Sequence, residues 1–191
     1  REAYREKTLT DMSLDDDVKF TGLFEDGKLI AIMKLVSFSM NLYGQMKPAV
    51  GLMSLGVHPM YKKRGAALDM VRFFEEYTSE QGGLVALLLP FNMGFYHKMG
   101  YGYGSKMEQY HIPSAQLPEC EDTTSMVLLG ADDLEKVISC HRRFVENNHG
   151  QLQKFSEELR QMKKDTQTTR VGLYGGEQLA GYLAYRYVCD S

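Results

Sequence analysis

The chain has 191 residues, enough for one large domain or one and a half small ones, and its 43% hydrophobic and 25% charged content is that of a soluble globular protein. A formal net charge of −3 argues against a dedicated nucleic-acid binder. No run approaches the ~18–20 apolar residues that cross a bilayer, so no membrane partner is expected. In chain order, Val18–Phe24 and Lys28–Phe38 are two β runs joined by the turn Glu25-Asp26-Gly27. Val50–Val57 is a third strand, ended by Pro59. From Ala66 to Gln81, Ala67, Met70, Val71, Phe74 and Tyr77 recur at three or four residues and mark one buried helix face, with Gly82-Gly83 as its C-cap. Leu84–Leu89 is a continuous apolar run, the pattern of a strand covered on both faces, and Pro90 ends it. A short helix over about Asn92–Met99, a glycine-rich turn and a strand near Lys106–Ile112 follow. Strand–helix–strand fed by an antiparallel hairpin predicts a mixed α/β sheet.

Pro113–Asp122 reads as a linker. Beyond it come a strand at Met126–Leu129, a helix from Asp132-Asp133-Leu134-Glu135 to Asn147, and a helix marked by Leu152, Phe155, Leu159 and Met162. A second hairpin spans Thr169–Val188. It lines up with the first at one offset: Gly22-Leu23-Phe24 on Gly172-Leu173-Tyr174, and Leu29 on Leu179. Any strand–turn–strand with a glycine can give such a match, but the order of elements around it favours a tandem duplication. The expected organisation is a first domain at 1–112, a linker at 113–123 and half of a second domain at 124–191. The start at Arg1, inside a polar, helix-compatible run to Met12, and the end at Ser191 suggest a piece of a longer polypeptide. Cys120, Cys140 and Cys189 form neither a disulfide framework nor a zinc motif, which fits reduced thiols in the cytoplasm.

The stretch from Leu55 to Leu68 is the most informative. Lys62, Lys63 and Arg64 sit directly before a helix whose N-terminus already carries partial positive charge, a placement unfavourable by up to ~1 kcal/mol per charge. An anion bound there removes the conflict. Backbone N–H groups from Lys63 to Leu68, Ala66 included, would then point at phosphate oxygens, with Gly65 and Ala67 leaving room for close approach. A solvated basic loop is the plainer reading. The segment resembles motif A of the GCN5-related N-acetyltransferases (GNAT), Gln/Arg-x-x-Gly-x-Gly/Ala, with Lys62, Gly65 and Ala67 at its three defined positions. Lys at the first position departs from the pattern. The resemblance implies the GNAT fold, with acetyl-CoA as cosubstrate and no metal.

Downstream, Leu87-Leu88-Leu89-Pro90-Phe91-Asn92-Met93-Gly94-Phe95-Tyr96 and Gly100-Tyr101 resemble the family's Phe-Tyr-x-x-x-Gly-Phe/Tyr ending. In that resemblance Tyr96 is the phenol that protonates, or hydrogen-bonds, the departing CoA thiolate. The alternative is an aromatic anchor between helix and sheet. Leu-Pro-Phe-Asn-x-Gly-Phe-Tyr with Gly-Tyr-Gly looks like the enhanced intracellular survival (Eis) branch, whose members carry two such folds and assemble into hexamers. Carried over, the backbone of Leu55, Gly56 and Val57 pairs with pantetheine, and Phe91 and Asn92 also touch the cofactor. The implied reaction is direct attack of a primary amine, aminoglycoside-like or a lysine side chain, on the thioester within a ternary complex. A non-catalytic acyl-CoA-binding or regulatory module is the rival reading.

The branch takes its base from a C-terminal carboxylate, a role that Ser191 does not fill; His58 and His111 are conceivable substitutes. Gly100–Gly104 follows a helix and has the wrong spacing for a dinucleotide loop. The histidines show no metal-ligand spacing. The methionines read as adaptable core or pocket lining, and Asp15-Asp16-Asp17 as a solvated cap.

Overall fold

Consecutive apolar residues in 28–42 (Ile30-Ala31, then Leu35-Val36) and in 45–57 (Ala49-Val50) bury neighbouring positions on both faces, and both segments form long strands. The computed structural model describes residues 15–104, 110–117, 119 and 124–187. The helix-compatible run to Met12, residues 106–109 of the strand expected at Lys106–Ile112, Cys120, Val188 and Cys189 lie outside them. The remaining residues of that expected strand, Tyr110, His111 and Ile112, are not in a strand.

Strands β1 (Val18–Glu25), β2 (Lys28–Leu42), β3 (Gln45–Val57) and β4 (Val85–Leu88) form a sheet in the order β1-β2-β3-β4. The first two pairings are antiparallel, and β3 runs parallel to β4 through helix α1 (Ala66–Glu80). The β2–β3 hairpin is longer than its apolar content suggests. Polar Asn41, Gln45 and Lys47 and the in-strand Pro48 lie in its outer half, closed by a Tyr43-Gly44 turn with both φ angles positive. β4 is half-buried along its length instead of covered on both faces, because it ends the sheet among the described residues.

Met33 and Leu35 on β2 and Leu52 on β3 pack with Met70, Val71 and Phe74 of α1 in one core. Phe74 is fully buried, so Phe74→Ala would cost about 3–5 kcal/mol by the usual core-truncation scale. One irregularity positions the site. Leu35 pairs with Leu52 and Lys34 with Ser54, which leaves Met53 unmatched as a bulge in β3. The pairing of β3 with β4 stops at the same point, Leu52 opposite Leu88. A bulge bends its strand, so the two strands part there.

The described residues form two compact units, one from residues within Arg1–Gly102 together with Val145–Leu159, the other from residues within Tyr103–Phe144 and Arg160–Ser191. In the first unit, Val145–Leu159 takes the edge of β2 beyond the end of β1. Met40 bridges Leu152 in antiparallel fashion, Gln153 N donates to Ser39 O at 2.8 Å, and Asn41 N donates to Gln151 O at 2.9 Å. The buried Asn41 side chain donates to the carbonyls of Val145 and Glu146. Phe155 meets Phe38 edge-on, and Lys34 pairs with Glu157. Leu152 and Phe155, expected inside a helix, therefore precede it and pack on β2, and helix α4 covers only Ser156–Lys164. Side-chain periodicity in that segment reflects contacts with a strand.

In the second unit β5 (Met126–Leu128), β6 (Thr169–Gly175) and β7 (Gln178–Tyr185) form an antiparallel sheet in that order. Helix α3 (Leu134–Asn147) begins in this unit and contributes Val137 and Cys140 to a core with Leu129 and Leu179; Cys140 is a free thiol. The β6–β7 hairpin repeats β1–β2 in detail. Register shifts between Leu173 and Tyr174 as it does between Leu23 and Phe24. A Cβ placed on Gly22 would stand 2.6 Å from Leu29 Cδ1, and one on Gly172 2.6 Å from Leu179 Cδ1. Both glycines are small because the same leucine crosses over them.

Candidate active site

The turn after β3 is built from local signals. His58 Nδ1 accepts from Met60 N at 3.3 Å and opens a single 3-10 turn, Pro59–Tyr61. Lys62 is extended, and Lys63 and Gly65 have φ of 64° and 90°. Gly65 is the N-cap of α1 with no side-chain cap, and the first hydrogen bond of the helix runs from Asp69 N to Gly65 O at 3.0 Å. The amides from Lys63 to Leu68 have no hydrogen-bond acceptor among the described residues. The turn is open: Lys62, Lys63, Arg64 and Gly65 are exposed, Ala67 and Leu68 half-buried, and Ala66 buried. Apart from its two chain neighbours, nothing lies within 4 Å of where a Gly65 Cβ would stand. Arg64 leans over the Tyr61 ring at 5.3 Å and reaches Glu25 at 3.9 Å, an exposed pair worth little. Neither Lys62 nor Lys63 has an ion pair among the described residues.

Beside this turn lies a strand edge without a partner. Leu55, Gly56 and Val57 pair on one side with Met33, Ile32 and Ala31. On the other side, β4 has left the sheet after Leu88, and no strand covers 53–57 among the described residues. Such an edge offers N–H and C=O groups to an extended ligand that carries amides of its own. Leu55 and Val57 pack against the same core cluster as Ala66 and Tyr96, which brings β3, α1 and α2 (Met93–His97) around one site.

Asn92 caps α2: its Oδ1 accepts from Phe95 N at 3.1 Å. That fixes the side-chain acceptor of Asn92 on its own helix. Tyr96 is 4% exposed, with Phe91, Phe95 and Tyr101 rings edge-on at 5.7, 5.0 and 6.0 Å. Its hydroxyl has no hydrogen-bond partner among the described residues. Burial raises its pKa, so the phenol stays protonated at neutral pH. Phe91 is exposed except where its ring meets Phe95 and Tyr96. His58, considered as a base, has its Nδ1 committed to the turn; His111 is exposed.

Of two further features of the site, only one has a sequence signal. The Met53 bulge has none, because a bulge adds one residue without changing composition. Tyr101 has one: an aromatic five residues after Tyr96. Its hydroxyl is buried, and burial, then the nearby Glu75 carboxylate and the neighbouring Tyr96, push its pKa up. Among the described residues no group of three His, Cys, Asp or Glu is placed to hold a metal, and no helix is long and apolar enough to cross a membrane.

A family model described as an acetyltransferase (GNAT) domain matches residues 2–104. The chain belongs to the GNAT acetyltransferase family. Its GNAT fold is similar to that of a GCN5-related N-acetyltransferase from Kribbella flavida, with a TM-score of 0.75 and 18% identity over 98% of this chain and 48% of that one. It is also similar to Eis1 from Mycobacterium abscessus, with a TM-score of 0.69 and 22% identity over 88% of this chain and 44% of that one. At these identities the likeness is one of fold, and the chain spans about half the length of both proteins. No protein of curated function matches the sequence. Within the GNAT match lie the turn Lys62–Ala67, the β3 edge and Tyr96.

Proposed function

We propose that this GNAT protein transfers an acetyl group from acetyl-CoA to a primary amine by direct attack in a ternary complex. The observation that carries the reading is the run of amides from Lys63 to Leu68 that have no hydrogen-bond acceptor among the described residues, next to a strand edge that β4 leaves uncovered. The fit is specific. Amides at a helix start, with two unpaired lysines beside them, suit a pyrophosphate. The Leu55–Val57 edge suits the two amides of a pantetheine arm. Open space at Gly65 lets phosphate oxygens approach the backbone.

Bound acetyl-CoA supplies an activated acyl group; the chain's own residues hold it and manage one proton. Tyr96 is placed on a capped helix and kept neutral by burial, which suits a donor to the departing sulfur. Phe91 stacks its edge against Tyr96 and, exposed, is free to cover the cofactor. Asn92, its side-chain acceptor used for capping, reaches the cofactor through its amide nitrogen in this reading. The acceptor class is a primary amine of a cationic small molecule, aminoglycoside-like, or of a lysine side chain; the net charge of −3 supports a cation. The Eis-like branch and hexameric assembly follow from the resemblance of 87–101, a cytoplasmic setting from the cysteine usage, and nucleic acid and membrane are not among the proposed partners.

The test is thiol release from acetyl-CoA with a panel of amines, in wild type and Tyr96→Phe. The variant should lose on the order of 100-fold in turnover with acetyl-CoA affinity unchanged. Because burial raises the phenol's pKa, the alkaline limb of the profile should not begin before the ordinary phenol range. Binding without thiol release for any amine would favour the regulatory module, and no binding at all would end both readings.

A further inference from the structure

The second unit contains a cavity of about 230 Å³ that the acetyl-transfer reading does not use. Four apolar side chains, Leu129, Leu134, Val137 and Met162, from the end of β5, α3 and α4, line it together with polar groups. Its mouth is charged, with Lys163, Asp165 and Arg170. The charges do not cancel. Asp165 is already satisfied: Oδ1 accepts from the amides of Gln167 and Thr168, and Oδ2 from the Thr168 hydroxyl and, at 2.7 Å, from Arg186. These bonds hold its carboxyl well below the usual carboxylate range. Arg186 thus neutralises Asp165, and Lys163 and Arg170 remain in excess.

Arg170 is the informative group. Its side chain is only 14% exposed, and its nearest carboxylate oxygen, on Asp165, is 3.8 Å away, beyond hydrogen-bond distance. Among the described residues its guanidinium donates no hydrogen bond. A largely desolvated guanidinium with unused donors carries an energetic cost that a bound anion would offset. Cavity size limits the ligand. An apolar cavity of about 150 Å³ holds a benzene ring, so this one has room for a ring and a carboxylate.

We propose that this cavity is a binding site for a small organic monocarboxylate with an apolar body of about ring size. The carboxylate pairs with Arg170 and Lys163, and the body lies on Leu129, Leu134, Val137 and Met162. The site does not depend on acetyl transfer.

Calorimetric titration of the full chain with benzoate, and with benzamide as its neutral isostere, tests it. Benzoate should bind saturably, and benzamide at least tenfold more weakly. Arg170→Gln should weaken benzoate at least tenfold. Ala131→Phe, a change at an exposed lining position that leaves every charge in place, should abolish binding and keep the circular dichroism spectrum; it decides the matter if Arg170→Gln does not fold. Absence of saturable benzoate binding, equal affinity for benzamide, or benzoate binding untouched by Ala131→Phe would each overturn the proposal.

Discussion

Two helices in this molecule start in opposite electrostatic settings. Helix α3 brings its own anion: the Asp133 carboxylate accepts from Gly130 N at 3.0 Å, and Asp132 and Glu135 add charge beside it. Helix α1 has no side-chain cap, its first acid is Asp69, and three cations precede it. Both starts satisfy the same rule, that N-terminal amides want negative charge. One meets it within the chain; in the proposed function the other leaves it to a ligand. A helix start that looks unstable by its own sequence is therefore a better pointer to a site than one that is well capped.

The sharpest way to break this contrast is to give α1 the internal anion that α3 has. Ala67→Asp should lower acetyl-CoA affinity about 10- to 100-fold, the Coulomb cost of a carboxylate a few ångströms from a pyrophosphate. The same change should raise the stability of the ligand-free protein by about 0.3–1 kcal/mol, through the helix dipole. Calorimetry and denaturant unfolding would read the two effects; parallel loss of both would mean a damaged fold. Smaller effects come from the cations. Lys62→Gln with Lys63→Gln should weaken acetyl-CoA about tenfold at low salt and less at high salt, since exposed charges are screened. Affinity that ignores ionic strength would leave those lysines as a solvated loop.

Smallest is the converse change at α3. Asp133→Ala should lower the melting temperature at neutral pH without affecting acetyl-CoA. The Asp133 carboxyl is held below its usual value by Lys136 and the Gly130 amide. A depressed folded-state pKa adds stability that is complete above the unfolded value and is lost as pH falls through the folded one. The gap between Asp133→Ala and wild type should therefore close in acid, from the ordinary carboxylate range downward; a gap that persisted there would assign the loss to something other than the charge.

Much of the first unit was legible because its signals are local. The helix Ala66–Gln81 shows in apolar spacing, and its end in Gly82-Gly83. The candidate turn shows in Lys62-Lys63-Arg64-Gly65, a charge pattern that a bound anion would reconcile. What was not legible depends on partners distant in sequence. The outer halves of β2 and β3 carry Asn41, Lys47 and Pro48; Asn41 fits there through the edge supplied by Val145–Leu159, and the Pro48 carbonyl accepts from Leu84 N. Nothing in Leu152 or Phe155 announces a β2 contact more than a hundred residues away. The bulge at Met53, which opens the β3 edge, is a matter of register and has no composition. The role of Asn92 as a cap is readable, since Asn three residues before an apolar helix position is a start signal.

The most direct measurement is an ¹H–¹⁵N titration of the protein with acetyl-CoA. If the start of α1 holds the pyrophosphate, the amides from Lys63 to Leu68 will shift saturably, in the downfield direction of hydrogen bonds to phosphate oxygen, with those of Leu55–Val57 moving alongside. Saturable binding that leaves the amides of Gly65, Ala66 and Ala67 in place would contradict the account.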